Sequence, residues 1–363
     1  MLSMDLPLTP MLARVAEHIP AGMAYEPKWD GWRCVLARDG GEVRLWSRHG
    51  TELTAHFPEL VAAAAEQLPE RCVVDGEIII IAGDRLDYTR LAGRLAEVSR
   101  AATLARESPG TLLIFDLLAL DEHQLFDLPW EVRRELLEQI GDGLQAPLLL
   151  SPVTRDEELA HDWFDRFEGA GLDGVVAKPL GGRYAPGQRG WLKIKHRRTA
   201  DVVVAGYRLD RTSTPERPQL GSLLLGLFDE QDQLHAVGVC AGFPGAIRGE
   251  LAEMFAALEQ HPGDPAYEGH PWSPRSAART GVRVPDHVTR WSRPRDQAHL
   301  IWPPLVAEVG FDQLHDEVRF RSNTQFLRWR VDKDPVECRF DQLEPPVRFD
   351  LAAILADATP DES

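Results

Sequence analysis

Four short stretches decide how this chain reads: Lys28-Trp29-Asp30-Gly31, Asp75-Gly76-Glu77, Asp173-Gly174-Val175-Val176-Ala177-Lys178 and Trp191-Leu192-Lys193-Ile194-Lys195. One lysine comes first, carboxylates follow on apolar runs of strand length, and a lysine pair closes the set. Around them, strand-like runs cover 34–37, 43–46, 72–81, 111–118 and 174–177. Helix-like runs cover 57–67, 131–140 and 157–170, the first opening at Phe57-Pro58, where proline suits an initial helical turn. Strands and helices alternate without regular βαβ spacing. That pattern predicts an α+β fold with mainly antiparallel sheets.

The texture changes near residue 200. Runs 201–207, 222–228 and 234–239 are short and apolar or β-branched, and an amphipathic segment follows at 245–259. A stretch rich in Pro, Arg and Trp, 261–296, reads as a long loop, and strand character resumes at 305–311. Several short strands with one helix suit a small Greek-key barrel such as an OB-fold. The expected division is 1–200, 201–345 and a tail, 346–363, that includes a short helix and ends in Asp361-Glu362-Ser363.

The chain has 363 residues, 44% hydrophobic, and a net charge of -17, which argues against a general electrostatic coat for nucleic acid. Basic side chains nevertheless cluster. No acidic residue lies between Asp173 and Asp201, where Arg183, Arg189, Lys193, Lys195, Arg197 and Arg198 gather. A second stretch holds Arg319, Arg321, Arg328, Arg330 and Lys333. Such patches fit a local grip on phosphates, and solvated charged faces account for either one taken alone. Cys34, Cys72, Cys240 and Cys338 form no Cys-x-x-Cys pair, which argues against a zinc module. Neither a leader-like start nor a membrane-length apolar run is present, and a reducing cytoplasm is the default expectation.

The chemistry follows from the residue types. A lysine nucleophile must be neutral, and nearby positive charge or desolvation favours that form. Lys193 and Lys195 could supply the charge to Lys28; a surface turn on Asp30-Gly31 is the bland alternative. Asp75 and Glu77 sit two apart, hence on one face of a strand, where burial beside isoleucines calls for a cation or donor. A turn at Asp75-Gly76 would explain them equally. Trp191, Lys193 and Lys195 also share a strand face, either to hold an anion such as an α-phosphate or to protect an edge strand. Phe115, at the end of an apolar run, reads as an ordinary core residue.

With these motifs in view, the chain resembles the covalent nucleotidyltransferases, and among them the ATP-dependent DNA ligases of the compact bacterial ligase C type. The run 326–334, Phe-Leu-Arg-Trp-Arg-Val-Asp-Lys-Asp, resembles the last motif of that group. The resemblance implies an adenylation domain followed by an OB-fold. It implies Lys28 as the adenylated nucleophile, Glu26 at the adenine, Arg33 at the nucleotide, and Arg48, in Ser47-Arg48-His49-Gly50, near ribose and phosphate. Glu77 would serve ribose and metal, Phe115 would stack on the base, Arg189 would be a late nucleotide contact, and Lys193 and Lys195 would hold the α-phosphate. Arg330 and Lys333 would approach the pyrophosphate when the OB-fold closes. Most relatives carry Glu where this chain has Asp173, a second metal candidate whose arm is shorter by ~1.5 Å.

The implied cofactors are ATP and Mg²⁺ or Mn²⁺. The implied activity is sealing of nicked duplex DNA in repair through a lysyl-AMP intermediate, by a cytoplasmic monomer away from membranes, with DNA-repair proteins as further partners. An RNA ligase, a capping-type nucleotidyltransferase and a catalytically degenerate DNA-binding scaffold are the alternatives.

Overall fold

The computed structural model describes residues 4–83, 85–95, 98–167, 172–196, 198–285, 298–315, 318–343 and 351. Two compact units emerge, 1–196 with 346–363, and 197–345.

The central strand of the first unit is Arg71–Ala82. It lies antiparallel between Trp32–Asp39 and Gly110–Leu120, with Glu42–Ser47 beyond the former. Its sequence, RCVVDGEIIIIA, is apolar on both faces because both are covered. Cys72, Val74, Ile78 and Ile80 pack in the same core as Leu60 and Ala64 of the helix Pro58–Gln67. Val73 and Ile79 belong to cores on the opposite side. Each such aliphatic side chain contributes about 1.5–3 kcal/mol over its exposed state. Pro58 stands at the first helical position, as expected of a residue with no N–H to satisfy.

A second, four-stranded sheet has the order Leu12–Val15, Arg189–Ile194, Val175–Lys178, Ala24–Pro27. Here Val175 pairs with Ile194 and Pro27, and Val176 with Lys193 and Glu26. Three motifs far apart in the sequence thus become neighbours, while Glu77 comes from the larger sheet. The helices Trp130–Gly141 and Glu157–Phe167 fall on the helix-like runs; the end of the latter run, 168–170, lies outside the described residues.

The second unit is a five-stranded antiparallel sheet, ordered Leu234–Ala241, Leu220–Phe228, Arg198–Leu209, His299–Phe311, Gln325–Trp329. Its ends approach through an isolated parallel bridge, Cys240 to Thr324, which curls the sheet into a partly closed barrel. A bulge between Val204 and Gly206 helps the bend, and a Cβ at Gly206 would lie 2.8 Å from the His299 carbonyl oxygen. The helix Arg248–Ala256 buries Ala252 and Phe255 against this barrel. The α+β, antiparallel, OB-type expectation holds.

The expected long loop is more ordered than its composition suggests. Its described part, to 285, contains the short helices Pro265–Gly269 and Pro274–Thr280, and Ser273 caps the second through the Ser276 N–H. Trp272 is buried between them and donates Nε1–H to the Leu234 carbonyl at 2.9 Å. Residues 286–296 of that stretch, Arg197, and the terminal 361–363 lie outside the described residues. Leu351 is buried in a first-unit core with Trp29 and Trp163. All four cysteines are buried free thiols, and among the described residues no helix is long and apolar enough to cross a membrane.

Candidate active site

Lys28 directly follows the strand Ala24–Pro27, and its backbone is clamped to the third motif. Its N–H donates to the Gly174 carbonyl at 2.8 Å, and its carbonyl accepts from the Asp173 N–H at 3.1 Å. The side chain then reaches Asp173 again, Nζ to Oδ2 at 2.6 Å. Lys195 Nζ meets the same Oδ2 at 2.8 Å. Asp173 is therefore the anion between two lysines. Burial would raise its pKa, but Lys28 and Lys195 outweigh burial and hold the carboxyl below the usual aspartate range. Lys193, on the strand Arg189–Ile194, has its pKa lowered by burial and then by Lys195, Lys28 and Arg48. Positive charge converges here.

Glycine is obligatory at two points of this clamp. Gly31 leaves no room for a Cβ, which would fall 2.1 Å from the Ile78 carbonyl oxygen. Gly174 has φ +125°, and its Cβ would fall 2.0 Å from the Ile194 carbonyl oxygen. Gly174→Ala should therefore destabilise the protein by on the order of 3 kcal/mol, from strain and displaced backbone together. Thermal melting of the purified variant measures this; a melting point equal to wild type would show that the strands part freely here.

Beside Lys28 opens a cavity of about 630 Å³, a size suited to a nucleotide. Glu26, Lys28, Arg33, Arg48, Glu77, Phe115, Arg189 and Lys193 all line it. Asp173 and Lys195 join it through Lys28. Arg330 and Lys333 belong to the second unit, where both bind Asp201. Arg330 Nη1 lies 2.8–2.9 Å from the two carboxylate oxygens, and Lys333 Nζ lies 2.8 Å from Oδ2.

Three placements refine the sequence reading. Asp75 is not in a turn and faces no solvent: it takes a two-pronged ion pair from Arg33, one arm at 2.6 Å, and a hydrogen bond from the Tyr184 hydroxyl at 2.6 Å. The cation that its burial calls for is Arg33. Arg33 is thereby fixed in the pocket wall, its guanidinium 4.6 Å from the Phe115 ring centroid. Glu26 gives one oxygen to Lys178 at 2.8 Å.

Lys178 closes the third motif and has no role assigned from the sequence. Its ammonium is buried, binds Glu26 and the Phe115 carbonyl, and lies 4.5 Å from both the Phe115 and Trp191 ring centroids. Burial pushes Glu26 up and Lys178 down, both toward neutral forms. A compositional signal marks Lys178: the chain holds only five lysines, and the other four were all site candidates.

Glu77 accepts the Gly31 N–H at 3.3 Å. Burial raises its pKa to about 7, against the opposing pull of Arg33 and Lys28. Between 4.5 and about 7 the folded protein therefore binds more protons at this site than the unfolded chain. Its contribution to stability should fall as pH rises through that window. Glu77→Gln should flatten the melting-temperature profile there and raise it above pH 7; an unchanged profile would assign Glu77 an ordinary acidity.

Among the described residues no three His, Cys, Asp or Glu side chains gather as a metal cage. Glu77 with a lysine-bound Asp173 instead fits a divalent ion carried mainly by substrate phosphates and water, as Mg²⁺ often is.

Comparison with known proteins agrees with this architecture. The family model described as ATP dependent DNA ligase domain matches residues 10–195, and that described as ATP dependent DNA ligase C terminal region matches 216–333. The chain belongs to the ATP-dependent DNA ligases. It is similar to DNA ligase C2 of Mycolicibacterium smegmatis, 43% identical over 94% of this chain and 97% of that protein. It is similar also to DNA ligase C of Mycobacterium tuberculosis, 43% identical over 96% of this chain and 97% of that protein. Among solved structures, a Lig E DNA ligase shares the fold at 14% identity, with a TM-score of 0.54 over 88% of this chain and 99% of its own.

Proposed function

We propose that the protein seals nicks in duplex DNA with ATP, through a lysyl-AMP formed on Lys28. The observation that carries this is the Lys28–Asp173–Lys195 cluster, ammonium to carboxylate at 2.6 and 2.8 Å, beside a nucleotide-sized cavity. Lys28 Nζ, having given its proton to water, attacks the α-phosphorus of ATP, the N–P bond forms and pyrophosphate leaves. AMP passes to the 5′-phosphate at the nick, and the 3′-hydroxyl then displaces AMP to close the strand. Asp173, held below the usual aspartate range, is a poor base and acts by orienting Lys28. Lys193 and Lys195 stabilise charge on the phosphoryl oxygens in the transition state. Glu77 would hold the ribose or the ion. A divalent cation on the phosphates would neutralise charge and align the leaving group.

Glu26 and Phe115 are assigned to the base, Arg33 and Arg189 to contacts with the nucleotide, and Arg48 to the ribose and phosphate. Arg330 and Lys333 are assigned to the pyrophosphate. Domain limits of 1–200 and 201–345, work as a monomer, DNA-repair proteins as partners and a cytoplasmic setting belong to the same reading. The test is sealing of a nicked duplex by purified protein with ATP, GTP or NAD⁺. ATP alone should support it, and sealing with GTP alone or of RNA alone would favour the capping or RNA-ligase alternatives.

A further inference from the structure

Four residues of the first unit, far apart in the chain, close a ring of hydrogen bonds beside the nucleotide cavity. The Tyr184 hydroxyl donates to Asp75 Oδ2 at 2.6 Å. Asp75 holds Arg33 through Nε and through Nη2, the latter at 2.6 Å. Arg33 Nη2 donates also to the Met11 carbonyl at 3.1 Å, and the Met11 N–H donates back to the Tyr184 oxygen at 3.0 Å. Resting on the ligase reading above, we propose that Tyr184 is a positioning residue for ATP, whose hydroxyl closes the ring that aims Arg33 at the nucleotide.

The ring uses part of the guanidinium and leaves part of it open. A guanidinium carries five N–H bonds in a fixed fork. Nε and Nη2 are taken by Asp75 and Met11, and among the described residues Nη1 has no hydrogen-bond partner. Arg33 lines the cavity with Glu26 and Phe115, so Nη1 is the arm left for an acceptor on the incoming nucleotide. An arginine already held in place loses less freedom when the ligand arrives, and affinity gains accordingly.

Tyr184 is itself immobile. It is buried, its ring stacks on Phe126 with centroids 5.4 Å apart, and it meets Trp191 edge-on at 5.9 Å. Its N–H donates to the Phe126 carbonyl at 2.9 Å. The bond directions are fixed as well. A backbone N–H can only donate, so the tyrosine oxygen accepts from Met11 and its O–H is left for Asp75. Burial and Asp75 both push the Tyr184 pKa up, which keeps that proton on the hydroxyl.

The same bonds also join the two sheets of the unit. Arg33 and Asp75 lie on strands of the larger sheet, while Met11 precedes the strand Leu12–Val15 and Tyr184 precedes Arg189–Ile194 in the smaller one. A pure staple would need no cation with an arm left over in a cavity wall. That open arm is what favours positioning.

The test is the rate of AMP uptake against ATP concentration in wild type, Tyr184→Phe, Arg33→Lys and the double variant. Tyr184→Phe keeps the ring packing and removes the hydroxyl alone. Half-saturating ATP should rise about tenfold while the limiting rate stays within about threefold, the pattern of lost ground-state binding. Arg33→Lys keeps a cation for the buried Asp75 but has no fork, and it should show a similar rise. In the double variant the rise should equal that of Arg33→Lys alone, because Tyr184 acts only through the arginine. The same loss repeated in the Arg33→Lys background would overturn the proposal. So would unchanged half-saturation, whatever the melting temperature, or a Tyr184→Phe protein that does not fold, since each makes the hydroxyl a staple. A loss confined to the limiting rate would overturn it too, by placing Tyr184 in the attack itself. Absence of AMP on the wild-type protein at every ATP concentration would instead overturn the ligase reading.

Discussion

Lys28→Ala protein should carry no AMP after incubation with ATP, and its sealing of ordinary nicks should fall by about four orders of magnitude or more, the scale of nucleophile deletions. The expectation rests on position. No other lysine in the chain is followed by x-Asp-Gly, and Lys28 is the lysine fastened by backbone and side chain alike to the third motif. Folding should survive, because Asp173 keeps Lys195 as a counterion at 2.8 Å and is not left buried alone. A pre-adenylated nick supplies the AMP that Lys28 would have carried, so the variant should still close that substrate. Intact-mass measurement reads the adduct directly, and with five lysines in the chain peptide mapping locates it without ambiguity. An adduct at the wild-type level in the variant would move the nucleophile elsewhere and end this mechanism.

What the sequence made legible follows the range over which its signals act. The run Val-Val-Asp-Gly-Glu-Ile-Ile-Ile-Ile announces a strand covered on both faces, and the strand Arg71–Ala82 is that. The strand order was not legible: Val175–Lys178 pairs with the nearby Arg189–Ile194 on one side and with Ala24–Pro27, far back in the sequence, on the other. Ion-pair partners were hidden for the same reason. Arg33 finds Asp75 because their strands are adjacent, and Arg330 finds Asp201 across 129 positions. The short helices in the expected loop did have local signals, since Asp264-Pro265 and Ser273-Pro274 each place a cap-type residue before a proline. There, overall composition hid a readable start signal.

Lys333→Ala should slow lysine adenylation by about a hundredfold, the scale for losing one oriented donor, and leave closure of a pre-adenylated nick near wild type. Lys333 lies in the second unit, so its effect on a first-unit reaction requires that unit to deliver it to the pyrophosphate and then withdraw. Such closures run on roughly the microsecond-to-millisecond scale. The geometry suits delivery from a firm base. Asp201, which holds Lys333 Nζ at 2.8 Å, lies on the strand Arg198–Leu209 and has its own N–H and carbonyl bound by Gln342 at 2.8 and 3.0 Å. Removing Lys333 leaves Asp201 paired with Arg330 through both carboxylate oxygens, so the strand keeps its counterion and the unit its fold. A hinge at 198–201 would cut into the strand Arg198–Leu209, where Arg198 to Asp201 pair with Phe311 to Glu308, so the turning point is expected before that strand. Single-turnover kinetics of adenylation and of final closure, measured separately, give the answer. Equal losses in both steps would make Lys333 a structural residue, and a loss confined to closure would make it a DNA contact, because only a group that serves the pyrophosphate is dispensable once AMP is already on the nick.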